Sequence, residues 1–484
     1  MSLLSFQIII AFLFLGFENS FLNGFILPQH FYTKNFPYFL GNSYKFGRSH
    51  LPYLESHNVV NSELLGILNE RSHNKIKDTL AIPDKYGLQS KISSGLYAVL
   101  PLGNRVFERL KRIIRVEMAK LNAVELTFPI LQPELILEDK LKSFGSELFS
   151  LKDRDKQKYY LSPSCEDLSC ILIKKENFPL SKSYLPIILY QINAKFRDEL
   201  RVSESFCRSK EFLMFDAYSF HSNKNCSSVY YTLFLESFKN MLDLMKLKYR
   251  VEERSEDGVE SHELRVVLGG PNSENDTDSD TLEVAHLFKF DTSYSQKNDL
   301  RYETTDRLRE DVYMNSYGIG LNRLLTALVK NFSNEVGLKF PQVVAPYDLT
   351  IISCNQETDE LSSLLKRGLI RKGLSVLLDD RDETIKKKVL DSKRIGIPHM
   401  ILLSPKFQRM KPNKIHMELW EEINKNSRIS NYYNLNQSPE SLIYKKDTVN
   451  LSNYMDTAVE YHPILSENSY IIKLRDLLKL LNVS

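Results

Sequence analysis

Two stretches with helical spacing and one alternating stretch dominate the pattern of hydrophobic and polar residues along the chain. Apolar residues recur at the spacing of a helix face over Val106–Leu121 and again over about Ser227–Met245. Between them, Tyr190–Phe196 alternates apolar with polar residues, which predicts a strand. The chain then crosses a charged connection and returns through Glu211–Met214. This order predicts an antiparallel hairpin with a charged connection at one end.

Shorter patterns predict the elements around this hairpin. Asn104 is placed to cap the first helix, and Val124–Leu131 reads as a strand that ends at Pro133. Tyr159–Asp167 reads as a strand that runs into a polar turn, and Leu247–Glu252 reads as a further strand.

Strand and helix patterns alternate in the last third of the chain, beyond the breaks at Phe340-Pro341 and Ala345-Pro346. Such alternation implies parallel pairing and therefore an α/β domain. Beyond Lys406 the pattern shows only weak helical pieces and polar links. The predicted elements are strand Asp348–Ser353, helix Thr358–Lys372, strand Leu374–Leu378, a helix that ends at Arg394 and strand His399–Leu403.

The N-terminal segment has the composition of an import signal. Its apolar run, Phe6–Phe17, is too short for a comfortable membrane span and fits the core of a signal peptide. No Asp or Glu follows over Asn19–Leu54. These features predict a two-step signal, cleaved after import, for a relict or secondary plastid (apicoplast) or alternatively a mitochondrion, with no membrane anchor in the mature protein. We expect a largely disordered import segment over residues 1–72, followed by domains over 73–343 and 344–484.

The overall composition is that of a soluble globular protein. Of the 484 residues, 42% are hydrophobic and 26% are charged, and the net charge is +3. Contacts to nucleic acid must therefore come from local patches of charge. The five cysteines form no CxxC pair, so we expect neither a structural zinc site nor a disulfide framework.

The predicted hairpin can direct Arg197 and Arg208 into one cleft. Two guanidinium groups with Glu199 between them suit a polyphosphate, because they grip phosphate oxygens bidentately and stay charged. Phe212 offers a flat face for a base. The plainer alternative is an antiparallel hairpin with a solvated charged rim.

Three segments of the hairpin resemble motif 2 of the bacterial-type prolyl-tRNA synthetases, which are class II aminoacyl-tRNA synthetases. These segments are Phe196–Glu199, Arg208–Met214 and Asp216–Phe220, and the similarity extends from about Ser94 to Pro398. Gly318–Arg323 resembles motif 3 of the same family. The resemblance implies an α+β catalytic domain, with an antiparallel sheet flanked by helices, followed by an α/β anticodon-binding domain. The interval from His221 to Met314 leaves no room for the editing domain that many bacterial members carry there.

The resemblance also implies roles for particular side chains. Arg197 would hold the α-phosphate and the substrate carboxylate, and Arg323 would join it in catalysis and stack on adenine. The other residues implied in ATP binding are Glu199, Arg208, Ser209, Phe212 and Glu283. Those implied in proline binding, besides Arg197, are Ser164, Glu166, Met214, Asp216 and His286.

The function implied is ATP-dependent activation of L-proline and its transfer to tRNA(Pro) in an organelle. ATP would be a substrate accompanied by Mg²⁺, with no metal site made of protein side chains. The helix Val106–Leu121 and the strand Val124–Leu131, which contains Pro129, resemble motif 1 of the family, and this resemblance implies a homodimer. Two alternatives stay open. One is another class II synthetase, such as a threonyl enzyme, although no zinc-ligand spacing is visible. The other is a non-catalytic tRNA-binding paralogue, against which the retained arginines argue.

Overall fold

The computed structural model describes residues 86–137, 145–177, 179–199, 206–256, 258–269, 281–334, 337–354, 356–403, 458–463, 470–473 and 476–477. The predicted import segment, residues 1–72, lies outside the described residues. Among the residues that are described, no helix is both long enough and apolar enough to cross a membrane.

The described secondary structure before residue 349 consists of short hairpins and five α-helices around long strands. The helices are α1 (Pro101–Lys120), α2 (Glu166–Glu176), α3 (Lys224–Leu244), α4 (Ser293–Lys297) and α5 (Leu321–Asn331). The strands are β1 (Gln89–Ser93), β2 (Leu96–Val99), β3 (Val124–Glu125), β4 (Leu131–Pro133), β5 (Ser150–Lys152), β6 (Lys158–Leu161), β7 (Leu180–Ser181), β8 (Ile187–Phe196), β9 (Glu211–His221), β10 (Tyr249–Glu256), β11 (Val259–Val267), β12 (Thr281–Lys289), β13 (Arg301–Glu303), β14 (Arg309–Asp311) and β15 (Tyr313–Gly320).

A seven-stranded sheet with the order β10-β11-β12-β15-β9-β8-β3 forms the centre of this region. All neighbours pair antiparallel except β3 and β8. The predicted hairpin is confirmed, since β8 pairs antiparallel with β9 from Ile187↔Phe220 to Phe196↔Glu211. The antiparallel sheet flanked by helices agrees with the fold class expected from the sequence.

Both faces of the sheet are covered, and β9 contributes to a core on each. Phe215 and Ala217 pack with α1, α3 and α5 in the larger core. Tyr218 and Phe220 point to the opposite face and pack in a second core with residues of α2 and of β15. This alternation follows from the period of two in a strand.

Two local expectations from the sequence are wrong. Helix α1 begins at Pro101 rather than after Asn104, because proline is favoured in the first helical turn, where its missing N–H leaves no bond unmade. The strand expected over Val124–Leu131 is broken into β3 and β4. Pro129 has no N–H to donate, and the N–H of Phe128 donates to the side-chain oxygen of Gln191 at 3.0 Å instead of to a strand.

The α/β alternation expected beyond residue 345 is confirmed. The elements are β16 (Leu349–Ser353), α6 (Gln356–Arg371), β17 (Val376–Asp379), α7 (Ile385–Arg394), β18 (His399–Leu403), β19 (Ala458–Pro463) and β20 (Tyr470–Lys473). Their sheet has the order β17-β16-β18-β19-β20, with β16 parallel to both of its neighbours. The expectation of only weak helical pieces beyond Lys406 is wrong, because β19 and β20 pair antiparallel at the edge of this sheet.

Helix α1 is joined to the C-terminal sheet by charge and by close packing. The guanidinium of Arg109 lies 2.9 Å from a carboxylate oxygen of Asp348. Arg105 lies over the ring of Tyr347, 3.8 Å from its centre. A Cβ at Gly337 would lie 2.4 Å from the Cα of Arg394, so the two backbones touch there. Helix α1 and the segment at Gly337 therefore contact the C-terminal α/β region directly.

His221, fully buried at the end of β9, predicts a pH dependence of stability. Burial lowers its pKa from 6.5 to about 4, so between these values the unfolded chain takes up a proton that the buried ring does not accept. We expect the free energy of unfolding to fall by up to roughly 3 kcal/mol over this window, at 1.36 kcal/mol per pKa unit. Urea unfolding at a series of pH values should show a shallower fall in His221→Asn. Equal slopes in the two proteins would contradict the prediction.

Candidate active site

One cleft opens where β12, β15, β9 and β8 end beside the start of α5. Its cavity volume is about 170 Å³, and it is open to the surface on one side. Its lining residues are Arg197, Glu199, Cys207, Arg208, Ser209, Phe212, Met214, Glu283, Val284, Ala285, His286, Gly318, Gly320, Asn322 and Arg323. The structure therefore brings together most of the residues that the sequence pointed to.

Arg197 is the half-buried cation of this cleft. Its guanidinium donates to the backbone oxygen of Pro163 at 3.4 Å and lies 5.4 Å from the centre of the Phe212 ring. Burial lowers the pKa of Arg197, and the positive charge of Arg323 lowers it further. Two guanidinium groups that repel each other across the cleft form a site that an anion would stabilise.

Arg323 enters the cleft from the first turn of α5, the helix that directly follows β15. Its guanidinium pairs with a carboxylate oxygen of Glu283 at 2.9 Å. The ring of His286 stacks on Phe288, with centres 3.9 Å apart, and its Nδ1 lies 3.8 Å from Glu283. On the opposite side Arg208 is exposed in a 3₁₀ turn, Phe206–Arg208. Charged groups thus flank the cleft from two separate segments of the chain.

Gly318 lies against Met214 in the wall of the cleft. A Cβ at Gly318 would lie 2.6 Å from the terminal methyl carbon of Met214, so a larger residue would displace the flexible end of this methionine. The atoms nearest to a Cβ at Gly320 would be those of the Arg323 side chain, at 3.6 Å. A substitution at position 318 would therefore change the lining of the cleft, to which Met214 belongs.

Ser164 lies in the turn before α2 and Glu166 is the first residue of that helix; both are near Arg197, but neither lines the cleft. One carboxylate oxygen of Glu166 accepts a hydrogen bond from Ser316 Oγ at 3.3 Å. The negative charge of Glu166 raises the pKa of Arg197, against the larger effect of burial, so the two charges face each other. The turn places a carboxylate where an ammonium group held near Arg197 can reach it.

Asp216 lies deeper in the protein than Met214, two residues along the same strand. It is 3% exposed, and its carboxylate pairs with Lys195 at 3.0 Å. Gln191 and Tyr218 donate to its other oxygen at 2.9 and 2.7 Å. A carboxylate so occupied contributes to the site through its neighbours rather than by facing the cleft.

Sequence reasoning missed Asn322, which links the two arginine-bearing segments. Its Oδ1 accepts from the N–H of Leu213 at 3.0 Å, and its Nδ2 donates to Ser209 Oγ at 3.3 Å. The signal was present in the sequence, since a polar residue here interrupts the apolar start of α5. Its position next to Arg323 and its bond to the residue after Arg208 hold the two segments in register.

Helix α7 carries five basic residues that from the sequence could contact RNA phosphates or equally form a solvated helix face: Lys386, Lys387, Lys388, Lys393 and Arg394. Lys388 is 4% exposed, and its ammonium donates to the backbone oxygen of Ser353 at 2.9 Å. Lys387 pairs with Glu383 one turn earlier. A contact of Lys388 with phosphate is therefore excluded by burial, while Lys386 stays a candidate.

Comparison with known proteins matches both halves of the chain to families. The model of the tRNA synthetase class II core domain (G, H, P, S and T) matches residues 149–332, and that of the anticodon-binding domain matches residues 348–415. The chain is 30% identical over 382 residues to the proline–tRNA ligase of Rhodopseudomonas palustris (strain BisA53), covering 66% of this chain and 86% of that protein.

The chain belongs to the proline–tRNA ligase family. The proline–tRNA ligase of the Wolbachia endosymbiont of Brugia malayi is 29% identical over 369 residues, again with 66% and 86% coverage. This family membership is consistent with the class II fold and with the arginine-lined cleft at one end of the sheet.

Solved structures of this family show the same fold. The prolyl-tRNA synthetase of Cryptosporidium parvum, complexed with L-proline and AMP, has a TM-score of 0.63 at 15% identity, covering 84% of this chain and 74% of that one. The Giardia lamblia enzyme in complex with prolyl-adenylate also has a TM-score of 0.63, at 18% identity, with 83% and 75% coverage.

Proposed function

We propose that this chain is a proline–tRNA ligase, which activates L-proline with ATP and transfers it to tRNA(Pro). The observation that carries the proposal is the convergence of Arg197 and Arg323 on one cleft, with Glu166 within electrostatic reach of Arg197. The substrate is both a carboxylate and an ammonium ion, and this site offers a partner of opposite charge for each.

The first step forms a bond between the proline carboxylate and the α-phosphorus of ATP. Pyrophosphate leaves as the bond to the β-phosphate breaks, and prolyl-adenylate remains. Arg197 binds the α-phosphate and the carboxylate, so it stabilises the charge that develops between them. Arg323 and Arg208 hold the outer phosphates, and Phe212 supports the adenine. Because the protein takes no covalent part, positioning and electrostatic stabilisation carry the rate.

The second step transfers the prolyl group to tRNA. A hydroxyl of the terminal adenosine attacks the prolyl carbonyl, and AMP leaves with the bonding electrons. The match of residues 348–415 to the anticodon-binding family supports contact with the far end of the same tRNA.

Mg²⁺ fits the cleft as a companion of ATP. Glu199 and Glu283 provide carboxylate oxygens there, which are the hard ligands that Mg²⁺ accepts. When bound, the ion neutralises phosphate charge. Glu199 and Glu283 would help to hold the ion, while Arg208 and Arg323 would bind the outer phosphates.

Exchange of pyrophosphate into ATP, measured with each amino acid separately, tests the proposal. We expect proline to support exchange far above every other amino acid. Exchange that peaks with threonine would identify the alternative class II enzyme. Absence of exchange with all amino acids, despite binding to tRNA, would identify a non-catalytic paralogue.

Cellular location and assembly are parts of the same proposal. The acid-poor stretch behind an apolar run supports import into a plastid or, alternatively, a mitochondrion. A fluorescent fusion of residues 1–72 that stayed in the cytosol would contradict import.

The exposed apolar side chains of Ile92, Val124 and Leu135, which lie around the segment resembling motif 1, support a homodimer. Sedimentation equilibrium measures its mass directly.

This enzyme is expected not to deacylate Ala-tRNA(Pro). The interval between β9 and β15 is occupied by α3, β10, β11, β12, α4, β13 and β14, and its undescribed stretch over residues 270–280 is far shorter than a domain of about 50 residues. Alanine is smaller than proline and cannot be excluded by a clash, since each missing methylene provides only about 1–3 kcal/mol of discrimination. Preformed Ala-tRNA(Pro) should therefore persist as long with the enzyme as in buffer. Rapid enzyme-dependent release of alanine would reveal an editing site.

A further inference from the structure

Two buried side chains hold the loop that carries Glu166 from opposite sides. The Nε2 of Gln132, in β4, donates to the backbone oxygen of Ser164 at 2.9 Å. The N–H of Cys165 donates to the hydroxyl of Tyr218, in β9, at 2.8 Å. Gln132 is 1% exposed and Tyr218 is 0% exposed. Neither side chain lines the cleft, yet together they fix the two residues that precede Glu166.

The hydrogen bond that Tyr218 accepts comes from the residue just before the first residue of α2. Cys165 is the N-cap of α2, and no side chain of its own caps the helix. Backbone N–H groups at a helix start have no partner within the helix and need an acceptor from elsewhere. Tyr218 supplies one at the residue next to Glu166, so its position sets where the helix, and with it the carboxylate, begins.

A buried ion pair lies behind Tyr218. The Tyr218 hydroxyl donates its only proton to Asp216 at 2.7 Å, which leaves its oxygen lone pairs to accept from Cys165. Asp216 is held in turn by Lys195, at 3.0 Å, and Lys195 is 1% exposed. A fully buried pair of charges is costly to desolvate and contributes little net stability. We therefore attribute its presence to the groups that it holds in place, here the Tyr218 hydroxyl.

The Tyr218 hydroxyl keeps one protonation state in this chain of hydrogen bonds. Burial and the negative charge of Asp216 raise the pKa of Tyr218 well above its usual value of 10. The hydroxyl therefore keeps its proton throughout the physiological range, and the direction of the hydrogen bonds from Tyr218 to Asp216 and from Cys165 to Tyr218 does not reverse.

We propose that Tyr218, supported by the Lys195–Asp216 pair, and Gln132 are positioning residues that aim Glu166 at the ammonium group of the substrate. The proposal rests on the function proposed above, in which Glu166 accepts that group. Substitution of these residues should therefore weaken the binding of proline and leave the binding of ATP unchanged.

Tyr218→Phe removes one hydroxyl and keeps the ring. In pyrophosphate exchange we expect the KM for proline to rise about tenfold, while the KM for ATP stays within about twofold, since a small misplacement of a positioning group affects only the bond it aims. Tetrahydrofuran-2-carboxylate, which has an ether oxygen in place of the ring nitrogen of proline, tests the assignment further. Its inhibition constant should be the same for wild type and variant, because it carries no ammonium group.

Tyr317→Phe is the matched control. Tyr317 is also 0% exposed and also has a bonded hydroxyl, 2.8 Å from Ser219 Oγ, but it packs in the core on the other face of the sheet. It should leave both KM values unchanged. If Tyr218→Phe does not fold, Gln132→Met keeps nearly the same volume, removes the second anchor and should show the same rise in the KM for proline alone.

Three results would overturn the inference. One is a KM for proline that changes no more in Tyr218→Phe or Gln132→Met than in Tyr317→Phe. Another is an equal rise in the KM for ATP, and the third is an equal weakening of tetrahydrofuran-2-carboxylate. A wild-type protein without proline-dependent exchange would instead refute the proposed function itself, and the positioning role with it.

Discussion

Arg197→Ala is expected to abolish formation of prolyl-adenylate while the protein stays folded. The guanidinium is placed to stabilise charge that develops only in the transition state, and loss of such a group costs at least about 3 kcal/mol, or more than about a hundredfold in rate. The stability of the variant should not fall together with its activity. Burial and the charge of Arg323 both lower the pKa of Arg197, so the folded protein holds this cation at a cost. The measurements are pyrophosphate exchange and the thermal unfolding midpoint.

Arg301→Ala is the control for this substitution. Arg301 lies in β13, its side chain is 49% exposed, and it pairs with Asp311 at 3.2 Å in the small sheet. It should retain normal exchange, since exposed ion pairs contribute little to stability. Near-normal exchange in Arg197→Ala would remove Arg197 from the role assigned to it. A large fall in its unfolding midpoint would show that the residue is structural.

Arg381→Met is expected to destabilise the C-terminal sheet by about 3–5 kcal/mol, because it leaves two buried carboxylates without a cation. Arg381 contacts Asp379 at 2.8 Å and Asp391 at 3.0 Å, and the three side chains are 5, 3 and 8% exposed. Their hydrogen bonds and charges raise the pKa of Arg381, with the bond to Asp379 the largest cause. Urea unfolding followed by circular dichroism gives the loss.

A triple variant separates loss of charge balance from loss of packing. Adding Asp379→Asn and Asp391→Asn to Arg381→Met removes the unpaired charges, and most of the lost stability should return. A single Arg381→Met variant within about 1 kcal/mol of wild type would contradict the prediction, since that is the range of exposed ion pairs. Deleting all residues after Ala345 would test the C-terminal region less cleanly. Leu377, Ile395 and Ile397 belong to the same core as Leu338 and Phe340, so the deletion would also expose apolar side chains of the part that remains.

The sequence predicted well the parts of the fold that depend on local pattern. Strand β18 has the predicted bounds, α7 ends at the predicted Arg394, and the hairpin of β8 and β9 brings Arg197 and Arg208 to one cleft. Motif spacing predicted these positions because hairpin register places residues of the two strands opposite one another. Strands β19 and β20 were missed because β19 pairs with β18, which lies far earlier in the sequence, and a local pattern carries no information on such a partner.

The burial of individual polar side chains could not be predicted from the same patterns. Alternation along β8 places Gln191 and Lys195 on a polar face, which in an exposed hairpin would meet solvent. Both are 1% exposed, because α2 and the loop before it cover that face. The layer that covers a strand comes from residues distant in sequence. For the same reason Asp216 was expected to bind the substrate, and Lys388 either to contact RNA or to be solvated, whereas each is buried against other protein groups.

The contacts between α1 and the C-terminal sheet set the distance between the cleft and that sheet. Arg109 grips Asp348, the backbones touch at Gly337, and a Cβ at Gly396 would lie 2.8 Å from Leu338. Close packing of this kind resists movement of one part against the other. An RNA that reached from the cleft to the C-terminal sheet would then have to fit a set separation, so the energy needed to bend the RNA would contribute to which RNA is bound.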